Sequence, residues 1–134
     1  MPQVVRGKVV MGGWVSDGQM TGEPSGVIRA FDAKTGAFSW AFDMGKPDFH
    51  GELAEGEHYT RGTPNSWAPI SADDKLGMVY IPTGNATPDY YAGHRTEMDN
   101  QFSGSVLAIN ADNGNLVWNF QTTHYDVWDY DVAS

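Results

Sequence analysis

The sequence predicts an all-β fold in which two consecutive units share one repeat. Residues 30–40 (AFDAKTGAFSW) and 108–118 (AINADNGNLVW) have the same order of apolar, turn and tryptophan positions. Sixteen glycines and seven prolines in 134 residues favour many turns and short strands over long helices. Because the second copy begins only 78 residues after the first, the chain is expected to be a piece of a larger repeat protein.

The first unit is predicted to contain three short strands joined by turns. A β-branched strand at 8–11 runs into a polar loop, and a second strand covers 26–32. A third strand follows the turn at Thr35-Gly36 and carries Trp40. The strands of this unit therefore span about 8–42, and they correspond to the second, third and fourth strands of the next unit.

The second unit is predicted to be complete and to span about 67–120. Its four strands are expected at 67–72, at 77–82, at 105–110 and in the segment that carries Trp118. The Asn113-Gly114 pair is a strong hairpin signal because both residues tolerate positive φ. Four antiparallel strands in chain order form the W-shaped blade of a β-propeller.

Three further segments complete the chain. Residues 43–61 show no clear period and are predicted to be a surface excursion between the blades. Residues 86–102 form a second insertion within the later blade, and residues 121–134 are expected to start the next blade.

Strand direction predicts that distant loops meet. If the first strand of a blade starts at the top face, the second strand ends there, the third starts there and the fourth ends there. The loops after second strands carry Asp17 and Asn85, and the loops after fourth strands carry Trp67 and Trp128-Asp129. These residues are therefore expected on one face of the propeller.

Charge and composition exclude several classes of protein. Seventeen acidic against eight basic residues give a net charge of −9, which argues against a nucleic-acid backbone or an anionic membrane surface as partner. The absence of cysteine excludes disulfides and thiolate metal sites. No apolar run approaches the roughly 20 residues that span a bilayer, and the first residues do not begin a signal peptide, so an export signal or anchor is expected elsewhere.

Two of the candidate site residues have an ordinary structural explanation beside a functional one. Trp67 is consistent with a core tryptophan or with an aromatic platform for a ligand. Asn85 follows Gly84 at a strand end, where it fits either a turn residue or an oxygen ligand of a cation.

The candidate carboxylates are open to the same two interpretations. Asp17 precedes Gly18, so a turn residue and a cation ligand are both consistent with its position. Asp129 and Asp131 fit solvated loop carboxylates, or a pair whose mutual repulsion a cation relieves. Three of the four histidines lack metal-ligand spacing and are expected on the surface; they are His50, His58 and His94.

Three motifs carry a resemblance to a known family. They are residues 62–67 (GTPNSW), residues 82–91 (PTGNATPDYY) and residues 120–131, which end in WDYD. In this order they resemble the pyrroloquinoline quinone (PQQ)-dependent dehydrogenases, and within them the bacterial membrane-bound glucose dehydrogenases. The resemblance covers nearly the whole chain and implies an eight-bladed β-propeller, of which this chain is a fragment of just under two blades.

The resemblance implies a role for each candidate residue. Trp67 would stack under the quinone ring, and Asp17 and Asn85 would hold Ca²⁺ or Mg²⁺ together with the cofactor. Asp129 would be a further ligand of the metal and would act as the general base. Hard cations prefer oxygen ligands of this kind, and a carboxylate is a suitable acceptor for a hydroxyl proton. Tyr125 stands where relatives usually have a histidine, which leaves its contact with substrate open.

The function that the resemblance implies is the oxidation of an aldose sugar, glucose to gluconolactone. Electrons would pass to ubiquinone through a membrane domain outside this chain, at the periplasmic face of the bacterial inner membrane. The alternatives are a quinate or polyol dehydrogenase of the same family, or a noncatalytic propeller scaffold of the outer-membrane assembly type. The 134-residue chain alone is expected to be weakly stable and inactive, because its blade edges are unpaired.

Overall fold

The structure, a computed structural model, describes residues 1–16 and 20–132, which form eight strands and one short helix. The strands are β1 (Gln3–Val5), β2 (Lys8–Met11), β3 (Ile28–Asp32), β4 (Phe38–Phe42), β5 (Ser71–Asp73), β6 (Met78–Pro82), β7 (Ser105–Asn110) and β8 (Leu116–Gln121), and the helix is α1 (Glu97–Phe102). They form two antiparallel sheets of four strands, each in chain order. The predicted four-stranded meander of the second unit is confirmed, and the first unit, for which three strands were predicted, has the same arrangement.

The structure differs from the predicted elements in three places. β1 gives the first unit a fourth strand, which was not predicted because three residues are too short to show a period. β5 begins at Ser71, so Trp67 lies in the loop before it and not in a strand. The 86–102 insertion contains α1, whose N-cap residue Thr96 forms a capping box with Asp99. No helix among the described residues is long and apolar enough to cross a membrane.

The two units match in detail at their last hairpin. Asp32 accepts hydrogen bonds from the backbone nitrogens of Lys34 (3.0 Å) and Thr35 (2.8 Å). Asn110, at the same position of the repeat, accepts equivalent bonds from the two residues that follow Ala111. The hydrogen bonds from Thr35 lower the pKa of the Asp32 carboxyl. Both third strands also carry a register shift at the equivalent position. The repeat is thus a repeat of turn chemistry as well as of strands.

The core lies between the two sheets, which pack against one another. Buried side chains from both units form one cluster: Val5, Val10, Ile28, Trp40, Phe42, Val79, Ile81, Leu107 and Ile109. The Trp40 indole nitrogen donates to the Ala111 carbonyl at 2.8 Å, which joins β4 to the last turn of the second sheet. The ring lies against Gly114, where an added Cβ would come within 2.9 Å of it. Trp40 therefore joins the two sheets together with the shared core and with the hydrogen bonds from Arg6 to Asp74 and Lys75.

Residues 43–61 fold back along β4, the edge strand of the first sheet. Asp43 is buried, and its carboxylate accepts hydrogen bonds from Gly45 N (3.0 Å), Thr60 N (2.8 Å) and Thr60 Oγ1 (2.9 Å). Further along the segment, the carbonyl oxygen of His50 accepts from the backbone nitrogen of Ala41 at 2.9 Å. The excursion is therefore closed at its base and covers an otherwise unpaired strand edge.

Candidate functional site

Three loops meet at one end of the two sheets. The backbone nitrogen of Gly84, after β6, donates to the carbonyl of Asn65 at 2.8 Å, and Thr87 N donates to Gly62 O at 3.0 Å. From beyond β8, the Val132 nitrogen lies 3.4 Å from the carbonyl oxygen of the residue before Gly84. The predicted convergence is confirmed for the loops that carry Trp67, Asn85 and Asp129. Asp17 lies outside the described residues.

Asp131 joins these three loops through its carboxylate. One oxygen, Oδ2, accepts a hydrogen bond from the indole nitrogen of Trp67 at 2.6 Å. The other, Oδ1, accepts from the backbone nitrogen of Asn85 at 3.1 Å. The carboxylate lies so close to Gly84 that an added Cβ there would be 2.6 Å from Oδ1. Asp131 is therefore a bridging group and not a solvated loop carboxylate.

The environment of Trp67 differs from that of a core tryptophan. Its side chain is 42% exposed, whereas that of Trp40 is 1% exposed. The edge of the Trp67 ring is held by Asp131, which fixes the indole while much of it faces solvent. An aromatic ring that is fixed at one edge and open elsewhere can act as a stacking surface.

Asn85 is fully buried, and the two ends of its side-chain amide differ. The amide nitrogen Nδ2 donates to Asp126 Oδ2 at 3.3 Å. The amide oxygen Oδ1 is buried and has no hydrogen-bond partner. A neutral, hard oxygen without a donor is the kind of ligand that Ca²⁺ and Mg²⁺ accept in proteins. A divalent cation fits at this atom, and the burial of an unpaired oxygen is costly without one.

Asp126 is a site residue that the sequence analysis missed. It is 1% exposed, and its carboxylate accepts from Trp128 N at 2.8 Å, from Tyr130 N and from the amide of Asn85. The hydrogen bond that the Asp126 side chain accepts from the backbone nitrogen of Trp128, two residues later, is typical of an Asx turn. The local signal was therefore present, but the partner 41 positions earlier was not visible in the sequence.

Asp129 lies between the two backbone nitrogens that Asp126 holds. Its φ is +62°, a left-handed conformation that aspartate adopts more readily than most residues. Its side chain is exposed, as are those of Trp128 and Tyr130 on either side. Tyr125, also at positive φ, is 68% exposed. The loop thus presents a carboxylate to solvent from a fixed backbone.

The insertion after Asn85 contributes one inner basic side chain. The Arg95 Nη2 atom donates to the Asp89 carbonyl at 3.2 Å, while Nε and Nη1 are buried without a hydrogen-bond partner. Burial lowers the pKa of Arg95, and the carboxylates of Asp126, Asp89 and Asp99 oppose that shift. The same insertion exposes two tyrosines, Tyr90 and Tyr91. The insertion therefore contributes a partly buried positive charge as well as exposed aromatic side chains.

The histidines do not form a metal site. His50 bonds the Ala41 carbonyl through Nδ1 at 2.9 Å, and His94 packs against Tyr91. Across residues 1–16 and 20–132, no group of three or more histidine, aspartate or glutamate side chains has the arrangement of a metal site. A candidate donor for a metal among the described residues is the buried, unpartnered Asn85 oxygen.

Comparison with protein families gives a match over the entire chain. The model described as "PQQ: Glucose/ethanol/alcohol dehydrogenase, beta-propeller domain" matches residues 1–134. Among curated proteins, quinoprotein glucose dehydrogenase A of Acinetobacter calcoaceticus is 50% identical over 134 residues. The glycerol dehydrogenase large subunit of Gluconobacter oxydans is 49% identical over 133 residues, and quinate/shikimate dehydrogenase (quinone) of Acinetobacter baylyi is 39% identical over 131.

These relatives are much longer than the chain. The three alignments cover 98–99% of this chain but only 16–18% of the relatives. Among solved structures, a europium-containing methanol dehydrogenase superposes with a TM-score of 0.70 at 27% identity, covering 97% of this chain and 25% of that one. Quinohemoprotein alcohol dehydrogenase ADHIIG of Pseudomonas putida HK5 gives a TM-score of 0.67 at 29% identity, with 97% and 20% coverage.

Proposed function

Because the chain belongs to the β-propeller domain family of PQQ-dependent glucose, ethanol and alcohol dehydrogenases, we propose that it forms part of the active site of a sugar dehydrogenase. The substrate that we favour is an aldose, with glucose oxidised to gluconolactone. The observation that carries the proposal is the buried, unpartnered side-chain oxygen of Asn85, a residue whose backbone nitrogen shares the Asp131 carboxylate with the indole of Trp67. A metal ligand and a stacking ring are thereby joined by one carboxylate.

Each residue has a distinct part in the proposed reaction. When bound, PQQ supplies the hydride acceptor and a divalent metal supplies Lewis acidity. Trp67 orients the ring system by stacking, and Asn85 offers its side-chain oxygen to the metal. Asp129 accepts the proton of the sugar hydroxyl that is oxidised. Asp17 completes the metal ligands in this proposal, with Ca²⁺ favoured and Mg²⁺ as the alternative.

The choice of substrate depends on the relatives and on the motif at residues 82–91. The relatives act on different molecules by their names, namely glucose, glycerol and quinate or shikimate. The identities to the glucose and glycerol enzymes, 50% and 49%, are nearly equal. A polyol dehydrogenase is therefore the second candidate.

The electron acceptor and the location form part of the same proposal. We place the full-length protein at the periplasmic face of the bacterial inner membrane, with ubiquinone as the acceptor. The support is the membrane-bound glucose dehydrogenase type that the sequence resembles.

The proposal is tested by reconstituting the full-length protein with PQQ and Ca²⁺ and by assaying dye reduction with glucose, glycerol and quinate. We expect kcat/KM to be at least about tenfold higher for glucose, a difference of about 1.4 kcal/mol in transition-state binding. A preference for glycerol would move the assignment to a polyol dehydrogenase. A protein that binds no PQQ would be assigned to the noncatalytic scaffold class.

Replacing Gly84 tests whether Asp131 holds the cofactor surface together. In Gly84→Ala the new Cβ would lie 2.6 Å from Asp131 Oδ1, so the carboxylate must swing away from Trp67 and Asn85. We expect the dissociation constant for PQQ to rise about tenfold, corresponding to about 1.4 kcal/mol. Gly13→Ala is the matched control because an added Cβ there meets nothing within 4 Å. Equal PQQ binding by both variants, measured by fluorescence titration, would contradict the bridging role.

A further inference from the structure

We infer that Asp126 is a positioning residue that turns the side-chain oxygen of Asn85 toward the metal and at the same time fixes the loop that carries Asp129. The inference rests on the proposed function, because it requires a metal at Asn85. Asp126 is buried, and it accepts hydrogen bonds from both sides of this arrangement. It contacts neither the substrate nor the cofactor in this proposal and acts through the two residues that do.

The first part of the argument concerns the orientation of an amide. The side chain of asparagine has a donor end and an acceptor end of nearly the same shape. A carboxylate only accepts, so Asp126 Oδ2 at 3.3 Å selects the Nδ2 end of Asn85. The oxygen must then point the other way, where it is buried and unpartnered. Without a carboxylate at 126, nothing in this contact selects which end of the amide faces the metal.

The second part concerns the loop. The same carboxylate accepts from Trp128 N at 2.8 Å and from Tyr130 N, the backbone groups on either side of Asp129. These bonds fix both peptide units around a residue whose φ is +62°. The direction of the Asp129 side chain therefore depends on Asp126. A change at Asp126 alters the metal ligand and the proton acceptor together.

The charge of Asp126 has a nearby counterion. The Arg95 guanidinium is near enough to interact electrostatically with Asp126, and two of its buried nitrogens have no hydrogen-bond partner. A buried carboxylate is costly unless it is hydrogen-bonded and paired with a positive charge. Three hydrogen bonds offset this cost, and the positive charge of Arg95 lowers it further without forming a direct ion pair. The arrangement keeps an acceptor-only group at a buried position.

The experiment is Asp126→Asn in the full-length protein, with the Ca²⁺ dissociation constant measured by titration calorimetry in the presence of PQQ. We expect the constant to rise about 10–100-fold, the usual effect of removing a partner that orients a metal ligand. In an Asn85→Ala background, the same substitution should raise the constant by a factor at least about threefold smaller than in the wild-type background, because the oxygen that Asp126 orients is gone and only the effect on the Asp129 loop remains. Comparable effects in both backgrounds would overturn the inference.

Asp43→Asn is the matched control for general loss of stability. Asp43 is also 1% exposed and also accepts three hydrogen bonds that organise a loop, but it lies in the 43–61 segment. This variant should lower the thermal midpoint and leave the Ca²⁺ constant within about twofold. A similar loss of Ca²⁺ affinity in Asp43→Asn and Asp126→Asn would mean that Asp126 acts only through stability, and it would overturn the inference.

A second variant covers the case in which Asp126→Asn does not fold. Asp126→Glu keeps the charge and the acceptor character, so the donor end of Asn85 is still selected, and we expect its Ca²⁺ constant to stay within about tenfold of the wild-type value. A folded Asp126→Glu protein whose Ca²⁺ constant rises by more than about tenfold would overturn the inference. A wild-type protein that binds PQQ and Ca²⁺ leaves the proposed function intact in either case, whereas a wild type that binds neither overturns both proposals.

Discussion

Replacing Asp129 by asparagine in the full-length protein is expected to lower the rate of sugar oxidation by about 10²–10⁴-fold, the usual contribution of a general base. The amide cannot accept the hydroxyl proton, whereas the shape of the side chain is almost unchanged. Asparagine also adopts positive φ readily, so the backbone at +62° is preserved. The measurement is dye-linked oxidation of glucose after reconstitution with PQQ and Ca²⁺.

Two further results decide what a loss of activity means. Bound PQQ, read from its absorbance, should remain at the wild-type level in Asp129→Asn. If PQQ is lost along with activity, Asp129 belongs to cofactor binding and not to proton transfer. Asp48→Asn serves as the control, since Asp48 is an exposed carboxylate of the 43–61 segment. Full activity in Asp129→Asn would remove this residue from the mechanism.

Replacing Trp40 by alanine is expected to cost about 3–5 kcal/mol of unfolding free energy, as for other buried large aromatic residues. The substitution leaves a cavity above Gly114 and an unbonded carbonyl at Ala111, because the indole nitrogen that donates to it at 2.8 Å is removed. Urea denaturation followed by circular dichroism measures the cost. Trp40→Phe separates the two effects, since it keeps most of the volume and loses only the hydrogen bond.

The equivalent tryptophan of the second unit makes this test informative about the whole propeller. Trp118 pairs with Ala108 as Trp40 pairs with Ala30, but it is 45% exposed in this chain. We expect the next blade of a full-length propeller to cover it, and Trp118→Ala should then cost as much as Trp40→Ala. A cost below about 1 kcal/mol in the full-length protein would mean that no blade packs on this face in the expected way.

Local chemistry explains which parts of the fold the sequence predicts. The hairpins of both units are encoded by a side chain that accepts backbone hydrogens and by a glycine at positive φ, at Asp32 and Gly36 and again at Asn110 and Gly114. Such turns are determined by neighbouring residues, so a pattern is sufficient. β1 was missed because three residues paired with β2 have no periodicity of their own. The short helix was missed for the same reason.

The site depends on partners that lie far apart in the sequence. Strand direction placed Trp67, Asn85 and Asp129 on one face, and the structure brings their loops together. The roles of these residues stay predictions, as does that of Asp17. The bridging function of Asp131 depends on a bond to a ring 64 residues earlier. No local pattern records such a contact, and only the fold reveals that Asp131 was not a solvated carboxylate.

The hydrogen bonds of Asp43 have a consequence for how this protein can change over evolution. They join the end of β4 to Thr60 and so close the 43–61 segment at its base. Changes in the length of the enclosed loop are then absorbed as loop-closure entropy, at roughly 0.6 kcal/mol for each doubling. The path of the chain from Thr60 to Trp67 is unaffected. The segment is therefore a position where new surface can be acquired, or a foreign peptide grafted, without disturbing the ring on which the cofactor is proposed to stack.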